Sequence, residues 1–218
     1  LSQWRINCLP FTASTNTTLI ELAEQQSIAG AVVTADLQVS GKGRRGRPWV
    51  SPIGYGVAVS VGFEPDLPAH KLMGLSLVVG VSVAKSLSAL GVPGARLKWP
   101  NDVLLGGAKL AGILVEVAST DPLKAVIGIG INVGNESLAD PQVDQPTSNL
   151  KGYPHITRAQ LVGSLLASLS LDLTSFEREG FGPFREEWES LHEYQGKSVT
   201  LFQADQEIHG VVRGVGLS

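Results

Sequence analysis

Residues 41–49 read Gly-Lys-Gly-Arg-Arg-Gly-Arg-Pro-Trp, with four cations (Lys42, Arg44, Arg45, Arg47) spaced by Gly41, Gly43 and Gly46 and closed by Trp49. Glycine lets backbone N–H groups turn toward an anion, and guanidinium groups add bidentate donors for phosphate or carboxylate. Such a loop suits a reaction in which negative charge builds at phosphorus; taken alone, it reads equally as a solvated basic loop. Gly41-x-Gly43-x-x-Gly46 formally matches a dinucleotide fingerprint. That motif works only where a helix follows, and here Pro48, Pro52 and Gly54 follow instead. Residues 40–43 also lack the spacing and the Ser or Thr of a phosphate-binding Walker loop.

Three further clusters carry chemistry. Lys98-Trp99-Pro100-Asn101-Asp102 places a lysine and a carboxylate about a proline turn, either as one rim of a site or as a turn satisfied by local Asn and Asp bonds. Lys109 opens the apolar run Leu110-Ala111-Gly112, where it reaches an anion or guards a sheet edge. Gly128-Ile129-Gly130-Ile131-Asn132 is an apolar strand with two gaps, room for something to approach its backbone.

The elements that must position these groups follow from periodicity. Ser14-Thr15-Asn16 precedes a helical pattern through Leu19, Leu22 and Ala23, and a Ser or Thr there suits a helix start. Strands are expected over 31–38 and 56–63, the second alternating Val57, Val59, Val61 and Phe63 with small residues. A helix is expected over about 71–90, then strands at 96–99, 103–105 and 109–117 hinged on the hairpin signal Gly106-Gly107, and another at 124–133. Residues 135–153 read as a polar loop. Thr157 and Gln160 form a capping box for a long helix with the stripe Leu161, Leu165, Leu169 and Leu173, ended by Gly180. A shorter helix carries Phe184, Trp188 and Leu191, and after 195 the pattern changes to short strands at 198–203 and 207–212. The expected domains are therefore 1–195 and the start of a small β domain at 196–218.

With 218 residues the chain has enough length for one sizeable core and a small appendage. A net charge of −3 argues against nucleic acid as a general partner, since such proteins carry a broad basic face. The single cysteine, Cys8, cannot form an internal disulfide, which fits a reducing cytoplasm, and the four histidines have no metal-ligand spacing. The longest apolar run, 72–84, is too short to span a bilayer and reads as a buried helix. The chain starts at Leu1 without Met and stops at Ser218 within a strand-rich stretch, so both ends read as cut.

Taken in order, the clusters resemble the biotin protein ligases: Ser14-Thr15-Asn16, Gln38 ahead of the basic loop, Lys-Trp-Pro-Asn-Asp at 98–102, Lys-Leu-Ala-Gly-Ile-Leu at 109–114 and Gly-Ile-Asn at 130–132. The resemblance implies an α+β fold, a mixed sheet with helices on one face (class II synthetase-like), followed by a small SH3-like C-terminal β domain, here truncated. It implies that biotin and ATP condense to biotinyl-5′-adenylate with Mg²⁺, and that biotin passes to a lysine of a carboxylase's biotin carboxyl carrier domain. By resemblance Ser14, Thr15, Asn16 and Gln38, with backbone of Gly41, Lys42 and Gly43, take the ureido ring, and Trp49, Gly112 and Gly130 the apolar tail. Arg44 and Lys109 take the carboxylate and α-phosphate, Arg47 and Lys98 the polyphosphate, Asn132 the nucleotide, and Asp102 the metal. The loop is expected to be mobile when empty and to close over the adenylate.

Three departures accompany the resemblance. Lys42 stands where the family usually has arginine, the helix-turn-helix of repressor-type members is absent and DNA binding is not implied, and the C-terminal barrel is incomplete. A homodimer is compatible with the resemblance. The rival within the same fold is a lipoate ligase or octanoyltransferase, against which the double-arginine loop and Lys-Trp-Pro-Asn-Asp argue. The rival from another class is a nucleic-acid-binding module, whose affinity would fall steeply with salt.

Overall fold

The computed structural model describes residues 4–134, 145–203 and 206–216. A seven-stranded sheet dominates it. Its strands are β1 (Arg5–Thr12), β2 (Ala31–Gln38), β3 (Gly56–Phe63), β4 (Ala95–Lys98), β5 (Asp102–Leu105), β6 (Ala108–Thr120) and β7 (Leu123–Asn132). They lie in the order β1-β2-β3-β7-β6-β5-β4, with β1 and β2 parallel and every other pair antiparallel. Strands β2 and β3 occupy the expected spans. Gly106 and Gly107 both take positive φ, 63° and 79°, and close the β5–β6 hairpin as the Gly-Gly pair requires.

The helices are α1 (Thr15–Ala23), α2 (Leu75–Ala89), α3 (Arg158–Glu179) and α4 (Arg185–Leu191). Helices α2, α3 and α4 cover one face of the sheet. There Val57, Val59, Val61 and Phe63 of β3 and Ile127, Ile129 and Ile131 of β7 meet Leu165, Leu169, Leu173 and Phe176 of α3 in one buried cluster. Each such side chain contributes about 1.5–3 kcal/mol over leaving it in water. The expected capping box is present: the Thr157 hydroxyl accepts from Gln160 N at 3.2 Å, and Gln160 Oε1 accepts from Thr157 N at 2.9 Å. Helix α1 packs on the opposite face against Val33 and Val126.

The helix expected over 71–90 is divided. A short 3₁₀ turn, Ala69–Leu72, is followed by Gly74 at φ 89°, and α2 begins at Leu75. A Cβ on Gly74 would lie 2.9 Å from that of Phe181, so backbone conformation and close packing both call for glycine. The apolar run reads correctly as a buried helix: residues 78–84 are all buried. The stretches Ala69–Ala89 and Arg158–Glu179 have the length and apolarity of a membrane span, yet both lie on the sheet as its helical cover.

Between the helices, Asp172 of α3 accepts from Ser82 at 2.7 Å and pairs with Lys85 at 3.1 Å, and Lys85 also reaches Glu187 of α4 at 3.1 Å. Burial pushes the Lys85 pKa down, but the hydrogen bonds and charges of Asp172 and Glu187 outweigh it and hold it above its ordinary value.

Strand β1 carries no alternation strong enough to announce itself in the sequence; it is an exposed edge strand with Ile6 and Phe11 open to solvent. After α4 the chain forms an antiparallel pair, β8 (Ser198–Gln203) and β9 (Gln206–Val211). The segment that follows returns to α4, where Glu189 Oε1 accepts from Val215 N at 3.2 Å. The first part of the loop expected at 135–153 lies outside the described residues.

Candidate active site

The site grows on the face opposite α2 and α3, where the strands alternate bulky with small residues. While Val57, Val59 and Val61 of β3 point into the core, Ala58 and Ser60 face the other way, as do Gly128 and Gly130 of β7. The glycines leave room for particular side chains. A Cβ on Gly128 would sit 2.2 Å from Asn16 Oδ1, and one on Gly130 would sit 2.4 Å from the Trp49 ring. Gly112 of β6 lies beside Gly130 in register and is overlain by the same indole, with 3.1 Å between Trp49 Cζ3 and a hypothetical Cβ.

One end of the cleft is a buried polar network at the start of α1. Ser14, Thr15, Asn16 and Ser60 are all at most 3% exposed. Gln38 Oε1 accepts from Thr15 N at 2.8 Å, and the Thr15 hydroxyl lies 3.1 Å from it. Ser60 Oγ lies 2.7 Å from Thr15 Oγ1 and 2.5 Å from Asn16 Oδ1. Asn16 Nδ2 in turn donates to Glu116 Oε2 at 2.7 Å and to Leu114 O at 3.3 Å. Ser14 caps α1 by position only, without a side-chain bond.

The basic loop closes on itself. Trp49 N donates to Gly41 O at 2.8 Å, and Gly43 N to Arg47 O at 2.7 Å. A Cβ on Gly41 would meet the Trp49 carbonyl oxygen at 2.3 Å, which only glycine avoids. At its tip, Arg44–Gly46 make a single 3₁₀ turn in which Arg45 adopts φ 58°, a strained left-handed conformation for a residue with a Cβ. Arg44 Nη1 donates to Asn101 Oδ1 at 3.3 Å, and Asn101 Nδ2 donates to Ile113 O at 2.9 Å, so the loop is tethered to the β4–β5 turn.

The other end of the cleft holds the lysines. Lys109 Nζ pairs with Asp102 Oδ1 at 2.8 Å and lies 5.7 Å above the Trp49 ring. Asp102 Oδ2 accepts from Gln145 Nε2 at 3.2 Å, and Gln145 Oε1 accepts from Lys98 Nζ at 3.0 Å, giving the row Lys98–Gln145–Asp102–Lys109. The Lys109 contact is an ion pair without hydrogen-bond geometry, so Asp102 Oδ1 is buried with no hydrogen bond among the described residues. Asn132 Nδ2 donates to Lys109 O at 3.3 Å and Ser148 O at 3.1 Å, which leaves its Oδ1 as the atom open to a ligand.

These groups line one cavity of about 1190 Å³ that reaches past Trp188 and His192 to the β8–β9 pair. His192 stacks on Trp188 at 4.5 Å, and its buried Nδ1 has no hydrogen-bond partner among the described residues; burial depresses its pKa, with Glu193 opposing and Arg96 adding a smaller push downward. Chemically, the arrangement offers a small donor-and-acceptor pocket at one end, an aromatic-walled apolar strip in the middle and convergent cations at the other. No group of three or more His, Cys, Asp or Glu side chains able to hold a metal occurs among the described residues.

The model of the biotin/lipoate A/B protein ligase family matches residues 8–132, more than half of the chain. The chain belongs to that family. It is 41% identical over 229 residues to the biotin–[acetyl-CoA-carboxylase] ligase of Mycobacterium tuberculosis (strain H37Rv), covering 98% of this chain and 81% of that one. It is 37% identical over 211 residues to the bifunctional ligase/repressor BirA of Escherichia coli (strain K12). That match takes in 95% of this chain but spans only 65% of the length of the Escherichia coli protein. Among solved structures, the biotin protein ligase from Aquifex aeolicus in complex with biotin and ATP is similar at a TM-score of 0.83 and 29% identity, covering 97% of this chain and 88% of that one.

In this ligase-family member every residue to which the resemblance gives a ligand role lines the cavity except Gly41, whose carbonyl accepts from Trp49 N at the base of the loop. Sequence reasoning missed Ser60, Glu116, Asn101 and Gln145. Ser60 was signalled faintly by small residues alternating with valines along β3. Asn101 stood inside a motif already singled out, whereas nothing local distinguishes Glu116 or Gln145.

Proposed function

We propose that the protein is an ATP-dependent biotin–protein ligase. One observation carries this reading above its rival: the deep end of the cleft is polar, with buried Thr15, Asn16 and Ser60 joined to half-buried Gln38 in one network that leaves Gln38 Nε2 without a bond among the described residues. A ureido ring, which donates and accepts, satisfies such a pocket. A dithiolane or alkyl tail would leave its polar groups unpaired, at about 1–3 kcal/mol each.

In this reading biotin lies with its ring on Thr15 and Gln38, near the backbone of residues 41–43, and its tail under Trp49 across Gly112 and Gly130. Its carboxylate oxygen attacks the α-phosphorus of ATP, and pyrophosphate leaves. Arg44 and Lys109 stabilise the charge at the new acyl-phosphate, Lys98 and Arg47 the departing polyphosphate, and Asn132 offers an acceptor to the nucleotide. Removing one such preorganised donor typically lowers the rate ~10²–10³. Lys109 exchanges Asp102 for substrate, and Asp102 keeps Gln145. Mg²⁺ fits as an ion carried chiefly by the phosphates, with the hydrogen-bond-free Asp102 Oδ1 as its protein ligand. When bound it supplies charge neutralisation at the leaving group. In the second step a lysine amine of a carboxylase's biotinyl domain attacks the acyl carbon, AMP leaves, and an amide forms.

We assign the catalytic unit to 1–195 and the beginning of a β domain to 196–218. We place the protein in the cytoplasm, without DNA as a partner, and consider a homodimer compatible with this reading. Isothermal titration with biotin, then with ATP and Mg²⁺ and mass detection of the adenylate, tests it. Biotin binding followed by biotinyl-adenylate is the expected result. Pyrophosphate release with lipoate and not with biotin overturns it.

A further inference from the structure

The two glycines of β7 are each overlain by a side chain of the cavity. Asn16 occupies the space that a Cβ on Gly128 would take, and the Trp49 ring the space of one on Gly130. Two residues past Asn132 the arrangement recurs at a residue with no role in the site described above. A Cβ on Gly134 would collide with Tyr55 Cδ1 and lie 2.7 Å from its Cγ, so the Tyr55 ring sits where that side chain would be. Tyr55 and Gly134 both line the cavity.

The backbone pins Tyr55 at the Asn132 end of the cleft. Tyr55 O accepts from Val133 N at 2.9 Å and from Gly134 N at 2.8 Å, and Tyr55 N donates to Pro52 O at 3.1 Å. The next residue, Gly56, pairs with Asn132 across β3 and β7. The core makes no use of the ring: Tyr55 belongs to neither buried cluster, is 37% exposed, and its hydroxyl has no hydrogen bond among the described residues. An aromatic ring and an amide acceptor at one end of a cavity suit a flat heterocycle that carries an amine. Asn132 Nδ2 is already bonded to Lys109 O and Ser148 O, which leaves Oδ1 to accept. Adenine offers both a π-face and an exocyclic amine. Stacking on an aromatic side chain typically strengthens the binding of a base about fivefold to 150-fold.

We propose that Tyr55 is the platform on which the adenine of ATP stacks, with the amine of the base directed to Asn132 Oδ1. The inference rests on the biotin-ligase reading above. The cations of the cleft hold the phosphates of any nucleotide, whereas the ring holds the base. A contact to the base is made equally before and during attack on the α-phosphorus, so it acts on ATP binding and leaves the chemical step alone.

Tyr55→Leu keeps apolar bulk over Gly134 without a π-face, and Tyr55→Phe keeps the ring without its hydroxyl. At saturating biotin, the KM for ATP in adenylate formation is expected to rise about tenfold or more in Y55L and to stay within about threefold of wild type in Y55F. The kcat of Y55L changes less than about threefold, the pattern of a lost uniform binding contact. Isothermal titration with biotin, without ATP, gives affinities within about twofold of wild type for both variants, a split that general loosening of the cleft would not give. Melting curves confirm folding, and Tyr55→Met takes the place of Y55L if that variant does not fold. A wild-type protein that binds no biotin and forms no biotinyl-adenylate overturns the biotin reading and this inference with it. With wild type active, three results overturn this inference alone: an unchanged KM for ATP in Y55L, an equal loss in Y55F, or a matching loss of biotin affinity in Y55L.

Discussion

Lys109 is held between a carboxylate 2.8 Å away and an indole face, which immobilises an otherwise flexible ammonium group. A cation positioned before the substrate arrives needs little rearrangement when charge develops, and that is where electrostatic catalysis gains most. Lys109→Ala is therefore expected to slow adenylate formation ~10²–10³-fold in single-turnover measurements. Folding should suffer far less, because Asp102 keeps its bond from Gln145 at 3.2 Å. A melting curve that collapses while the remaining folded protein reacts at full rate would make the lysine structural instead. Gly130 shows the converse case: what matters there is the absence of an atom, since the Trp49 ring fills the place of a Cβ.

At the scale of elements, the loop of residues 41–49 combines backbone strain at Arg45 with a side-chain tether from Arg44 to Asn101. Arg44→Gly removes both a cation and the tether, and adds conformational freedom to a glycine-rich segment. Adenylate should dissociate before the acceptor protein arrives, so bystander proteins become biotinylated at exposed lysines while transfer to the carrier domain declines. Mass-spectrometric mapping of label on an inert added protein reads this; normal retention of adenylate and an unlabelled bystander would remove Arg44 from the closing mechanism. The loop was legible in the sequence because its composition is improbable for anything but anion binding or solvent. Strands β2 and β3 and the α3 cap were legible because a strict period or a paired capping motif dictates them. Strand β1 was not: its residues face solvent, so no burial pattern marks it, and its pairing with β2 is a long-range fact. The break before α2 was hidden because Gly74 reads as one small residue in an apolar helix until Phe181 packs against it. Glu116 and Gln145 escaped for the same reason, since their partners lie far away in the chain.

At the scale of the whole molecule, His192 couples stability to pH. Its pKa in the folded protein is depressed below the ordinary 6.5, chiefly by burial. On acidification the unfolded chain therefore takes up this proton first. The stabilisation is fully present above about pH 6.5 and is lost as pH falls toward the folded-state value. His192→Phe keeps the stack on Trp188 and removes the titrating group, so its melting temperature should vary less than wild type's between pH 7 and about 5. Parallel curves for the two proteins would mean that other groups govern acid sensitivity. A different consequence follows from the strands beneath the cleft. Odd-numbered positions of β3 and β7 build the core, while Ala58, Ser60, Gly128 and Gly130 shape the ligand surface. Two structural demands thus fall on interleaved, chemically separate positions of the same strands. Substitutions at the even positions can therefore reshape what the cleft admits while the odd ones hold the fold, so a new ligand requires no new architecture.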